Sequence, residues 1–92
     1  MTLPPNEKAD VLARLRSVRG HIDGVLRMIE DDAYCVDVVK QVSALRAALD
    51  KIGRIELRNH FRTCMRQAVL DGREDGAIDE LMGALAFTRD LL

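Results

Sequence analysis

The chain has 92 residues, of which 48% are apolar and only 3% aromatic, and its formal net charge is −1. So short a chain holds one domain, taken here as residues 1–92, and a domain this small often needs a metal, disulfides or oligomerisation to be stable. Three further absences narrow the class. No apolar run reaches the roughly 18 residues of a membrane span, the start MTLPPNEKADV lacks the order of a signal peptide, and no nucleophile–base pair or phosphate loop suggests an enzyme. We therefore expect a cytoplasmic, non-enzymatic protein whose two cysteines are ligands or reactive thiols rather than a structural disulfide.

Pro4 and Pro5 are the only prolines, so every later segment is free to be helical. Residues 1–6 read as a frayed lead. From Val11 the apolar positions run Val11, Leu15, Val18, Ile22, Val25 and Ile29. Their alternating spacing of four and three is a heptad seam, and it predicts a first helix closed by Glu30-Asp31-Asp32. Asp31 or Asp32 would cap the helix that follows. That second helix runs from about Ala33 to about Leu70, with Val38, Val42, Leu45, Leu49 and Ile52 in the same rhythm. At about 1.5 Å per residue it spans more than about 50 Å, too long for a compact monomer of this size. Asp71 to Gly76 form a turn or short linker. A third, shorter helix carries Ile78, Leu81, Met82, Leu85 and Leu92 on one side. The expected fold is all-α: a three-helix protomer, two long helices and one short, in an oligomeric bundle.

Cys35, His60 and Cys64 carry the chemistry. His60 and Cys64 stand four apart and share one helix face, whereas Cys35 lies 25 residues before His60. On a continuous helix that separation is about 37 Å. One chain cannot close it, but an antiparallel pair crossing near residues 47–49 brings Cys35 of one protomer to His60 and Cys64 of the other. Ala44, Ala47 and Ala48 are the small residues expected at that crossing. Two thiolates and one imidazole suit soft or borderline ions, chiefly Cu(I) and Zn(II). Zinc wants a fourth ligand, for which His21 is the remaining histidine. Two buried cysteines beside an unrelated surface histidine would give the same spacing, as would an interchain disulfide.

Charge is unevenly distributed. Between Lys40 and Arg66 seven basic residues face two acidic ones, whereas Asp71 to Asp90 holds six acidic and two basic. Arg14, Arg16 and Arg19 add a basic cluster near the start. The pattern fits either solvated helix faces with i,i+4 pairs or a surface for phosphates.

The stretch RLRSVRGHIDGVLRMIEDDAYCVDVVKQVSALRAALDKIGRIELRNHFRTCM resembles the copper-sensing transcriptional repressors of the CsoR/RcnR family. The resemblance covers roughly residues 11–92. It rests most on Arg19-Gly20, Tyr34-Cys35, the QVSALRAALDK block, and the spaced His60 and Cys64. It implies a three-helix protomer, an antiparallel four-helix-bundle dimer and a dimer of dimers, hence a homotetramer. It also implies that the chain binds operator DNA without a helix-turn-helix and releases it on binding inducer. Cys35, His60 and Cys64 match the Cu(I) ligands of the copper branch. Tyr34 and Glu80 match positions that relatives use to link the site to the third helix, and Arg14 and Lys51 match basic positions associated with DNA. Nickel- and cobalt-sensing branches carry histidine where this chain has Cys64. The persulfide-sensing branch lacks the histidine, and the formaldehyde-sensing branch lacks the second cysteine. Two departures stand out: His21 replaces the usual glutamine after the glycine of the first helix, and Ser17 stands where some relatives are basic.

The expectation is therefore a metal-responsive repressor. The apo form would bind DNA through Arg14, Arg16, Arg19, Lys51 and Arg54, and Cu(I) at Cys35, His60 and Cys64 would release it. A persulfide-responsive or a nickel- or zinc-responsive repressor, with His21 as an extra ligand, is the alternative.

Overall fold

A computed structural model describes residues 3–88; Met1, Thr2 and residues 89–92 lie outside the described residues, and with them the expected contribution of Leu92. Helix α1 spans Pro5–Glu30 and α2 spans Cys35–Asn59. A π-helical segment, His60–Met65, and α3, Arg66–Leu70, continue α2 without a turn, since Asn59, His60, Met65 and Arg66 all keep helical φ and ψ. Helix α4 spans Glu74–Thr88. The molecule is thus three rods, as the periodicity implies, with no strand among the described residues.

Three local expectations are corrected. The lead is shorter than residues 1–6, because Pro5 already opens α1 and Lys8 N–H bonds the Pro4 carbonyl at 2.8 Å. Proline at the first helical position suits this role, since its φ is preset and no N–H is missed there. Leu3, far from fraying, packs on the core. Neither Asp31 nor Asp32 caps α2: its cap is Tyr34, with no side-chain bond. The two aspartates instead close α1. Asp32 takes φ 56°, Asp32 N–H bonds Ile29 O at 3.2 Å, and Ala33 N–H bonds Met28 O at 2.9 Å. This is a Schellman closure, which needs a left-handed residue after the helix. The third correction is at the linker, which is only residues 71–73 because α4 starts at Glu74. Gly72, at φ 72°, closes α3 by the same pattern, with Arg73 N–H on Ala68 O at 2.7 Å. Glu74 and Asp75 in the first turn of α4 then favour its positive end.

Helices α1 and α2 form an antiparallel hairpin around Val11, Val18 and Ile52, with Leu3, Leu45, Ala48 and Ile55 against them. That small core cannot use all the apolar surface. Leu15, Ile22 and Leu26 of α1 and Val39, Val42 and Leu49 of α2 are exposed, Val42 by 52% and Leu49 by 48%. The extents are 57 × 27 × 15 Å. A thickness of 15 Å is close to one helix with its side chains, about 10–12 Å, so the protomer is a single layer with no inside. Its radius of gyration is 17.3 Å, against about 12 Å for a compact chain of this length.

Candidate metal centre

The C-terminal end of the long rod is where the chemistry gathers. His60 opens the π segment and Cys64 is its fifth residue. In a π turn the N–H reaches back five residues instead of four, and such single turns concentrate at functional sites. The widened register still leaves residues four apart on neighbouring positions of one face. Cys64 is buried, at 7% exposure, while His60 is half-buried. Both line a cavity of about 410 Å³ between the π segment, α3 and the start of α4, and Glu80 of α4 lines its far wall.

Local hydrogen bonds hold this end. Thr63 Oγ1–H donates to the Asn59 carbonyl at 2.8 Å, a bond that satisfies backbone where the helical register changes. The same oxygen lies 3.6 Å from Cys64 Sγ. His60 Nε2 faces Glu80 Oε1 at 3.9 Å, longer than a hydrogen bond but within ion-pair reach. At the far end of the turn the Asp71 carboxylate accepts from Arg73 Nη2 and Gln67 Nε2, both at 3.0 Å. The Arg73 bond first, then the Gln67 bond, hold its pKa below the ordinary carboxylate value.

The residues expected to act together therefore divide. His60, Cys64 and Glu80 line one cavity within a protomer. Cys35 and Tyr34 sit at the opposite end of α2, exposed, about 37 Å from His60 along an unbroken helix. Among the described residues no three His, Cys, Asp or Glu side chains of one chain come close enough to hold an ion. Both cysteines are free thiols. His21, the other candidate ligand, is bound elsewhere: its Nε2–H donates to Gln41 Oε1 at 2.7 Å across the α1–α2 seam.

Helical azimuth tells which faces are left over. At about 100° per residue, Cys35, Val42 and Leu49 drift slowly along one line, and His60 falls within about 20° of Cys35. This line carries the exposed aliphatic residues of α2. Ala48, by contrast, packs against the α1 core, and Ala44 and Ala47 are exposed on the other side of the helix. The open face between Cys35 and His60 carries Val42 and Leu49, and of the three alanines Ala48 is already covered by α1.

The basic residues also divide. Arg14 is exposed and ion-paired to Asp10 at 3.0 Å. Arg16 and Arg19 are exposed about 140–160° further round α1. Lys51 and Arg54 are exposed together on α2.

Reading residues by type alone missed three participants. Thr63 and Asn59 were accessible in principle, since a threonine four after a residue can bond that carbonyl. Met65, which lines the cavity, follows Cys64 directly. The π segment had no visible signal, because an added residue per turn leaves composition unchanged.

The sequence and the fold agree with known proteins. A sequence model described as metal-sensitive transcriptional repressor matches residues 7–86. The chain is 53% identical over 83 residues to the copper-sensing transcriptional repressor CsoR of Mycobacterium ulcerans, covering 90% of this chain and 71% of that protein. It is 52% identical over 82 residues to CsoR of Mycobacterium tuberculosis, covering 89% and 69%. The crystal structure of the copper-sensing repressor CsoR with Cu(I) from Geobacillus thermodenitrificans superposes with a TM-score of 0.88 at 31% identity, covering 94% of this chain and 90% of that one. With a family match across nearly its whole length and relatives above half identity, the chain belongs to the family of metal-sensitive transcriptional repressors.

Proposed function

We propose that this protein is a copper-responsive repressor whose apo form holds operator DNA and whose Cu(I)-bound form lets it go. The observation that carries this reading is the unbroken rod with Cys35 at one end and the His60–Cys64 pair at the other, joined by an open aliphatic face. Two such rods laid antiparallel cover that face on each other and complete two identical sites, each from both protomers. The tetramer, two such dimers, rests on family resemblance.

The donor set fits the ion. Two thiols, neither in a disulfide, and one imidazole favour a soft monovalent ion. Bound Cu(I) supplies the bond that links the two protomers' half-sites. The bond from His21 to Gln41 supports a three-ligand set without His21. With His60 Nε2 turned to Glu80, Nδ1 is the nitrogen open to the ion. Glu80, on α4, then accepts from Nε2–H once the ring is fixed, and Tyr34 arrives beside Cys35 from the partner. Those contacts would draw α4 toward the rod in one state and not the other, which gives the two states different surfaces for DNA. Arg14, Arg16, Arg19, Lys51 and Arg54 are the proposed contacts to operator phosphates, in a cytoplasmic protein.

Anisotropy of labelled duplex from the protein's own promoter, titrated anaerobically with Cu(I), Zn(II), Ni(II) or a persulfide donor, tests this. Release by Cu(I) alone is expected. Release by persulfide, with Cys35 and Cys64 cross-linked in the mass spectrum, would replace copper with a thiol signal.

A further inference from the structure

The basic residues of α2 have an arrangement that charge counting hides. Lys40 and Arg58 are eighteen residues apart, five full turns, so they share one azimuth. Ala44, Ala47, Lys51 and Arg54 all fall within about 40° of that line, spaced four, three, four and three. All six residues are exposed. The ion pairs among the described residues involve Arg14, His60 and Arg73, so Lys40, Lys51, Arg54 and Arg58 have no acidic partner there. Asp50 stands four before Arg54 and still makes no pair with it. Arg46 lies about 120° away, nearer the line of Cys35 and His60.

We infer that Lys40, Lys51, Arg54 and Arg58 form one phosphate rail on α2, seated over Ala44 and Ala47, against which the operator backbone lies. The inference rests on the repressor reading above and extends it to residues and to a docking face. Lys51, Arg54 and Arg58 stand three and four apart, close enough to repel one another mildly, and an anion along the line would relieve that repulsion. The two alanines between Lys40 and Lys51 keep the middle of the rail flat, so a duplex can approach the helix backbone. The rail is about 27 Å long, matching about eight base pairs at 3.4 Å each. It lies about 150° round the helix from the Cys35–His60 line. DNA and metal would thus act on opposite sides of one rod, and a small roll or shift of α2 would be felt at both.

The test is duplex affinity as a function of salt, with the full-length apo protein and promoter DNA. Lys40→Ala and Arg58→Ala should each lower the slope of log K against log[salt] by about 0.9 for every copy engaged, and weaken promoter and unrelated duplex alike. Lys8→Ala, at the start of α1, should leave the slope unchanged. Ala47→Glu should weaken binding at least about tenfold while Cu(I) stoichiometry stays that of the wild type, which checks the fold. Wild-type slopes in both Lys40→Ala and Arg58→Ala, or wild-type affinity in Ala47→Glu, would overturn the rail and leave the repressor reading standing. If the wild type itself binds duplex without salt dependence, both fall.

Discussion

The two ends of the long rod are built on opposite plans. At the N-terminal end Cys35 is the first residue of a regular α-helix, exposed, beside a tyrosine cap that makes no side-chain bond. At the C-terminal end the helix widens to π register, Cys64 is buried, and α4 walls off a cavity that includes His60 and Glu80. In the copper reading proposed above, one end is a prepared half-site and the other a donor with nothing to serve in its own chain. The proposed pairing explains the difference: order lies where two ligands would be held, and the one to be delivered by the partner is left open.

The strongest way to break this contrast is to remove one ligand from each end. Cys35→Ala and Cys64→Ala should each weaken Cu(I) binding by about a thousandfold or more, roughly 4 kcal/mol, in competition with a chelator. Mixing Cys35→Ala protein with Cys64→Ala protein should restore one tight site per mixed dimer, because one of its two sites then keeps all three ligands. Failure to recover that site would sink the idea that the ends belong to different chains.

His60 separates holding from signalling. His60→Ala keeps two thiolates, so copper should still bind, but the link to Glu80 is gone. A coupling of about 3 kcal/mol gives roughly 150-fold weaker DNA binding with copper, and the variant should reduce that ratio to near one. Normal copper-driven release by His60→Ala would remove the histidine from the signal path. Glu80→Ala acts one contact further out. It should lower metal affinity by about 10–100-fold and blunt release, without changing apo DNA affinity.

The two helix closures sharpen the comparison at smaller scale. Asp32 and Gly72 both hold left-handed conformations, at φ 56° and 72°. Gly72→Ala should destabilise the α3–α4 turn by about 1 kcal/mol in urea unfolding, because a Cβ is disfavoured at positive φ. Smallest is the effect at Asp71, whose carboxylate is fully exposed. Its pKa is lowered in the fold, so its bonds to Arg73 and Gln67 contribute above the ordinary value of 3.8 and fade as pH falls through the folded value. Asp71→Asn should therefore be slightly less stable than wild type at neutral pH and equal to it in strong acid.

Much of the site was legible in residue order. The 25-residue gap from Cys35 to His60, read at the rise of a helix, keeps the two apart within one chain, and α2 is as continuous as that argument needs. Gly53 does not interrupt it. A run of small residues says that something can come close but not what comes, and Ala48 meets α1 while Ala44 and Ala47 face outward between lysines. The partner of His21 was not legible either, since Gln41 is twenty residues away and adjacent only once the hairpin closes.

Residue order by itself determined that this is an all-α chain of three rods, with its two cysteines and His60 toward the ends of one of them. Those properties follow from local periodicity and rise per residue, which do not depend on how helices pack. Tertiary structure decided which face of α2 meets α1 and which is left open, that His60 looks toward Glu80, and that the helix widens between His60 and Cys64. These depend on the azimuth at which two helices meet and on a register change of one residue, and neither leaves a mark on composition or spacing.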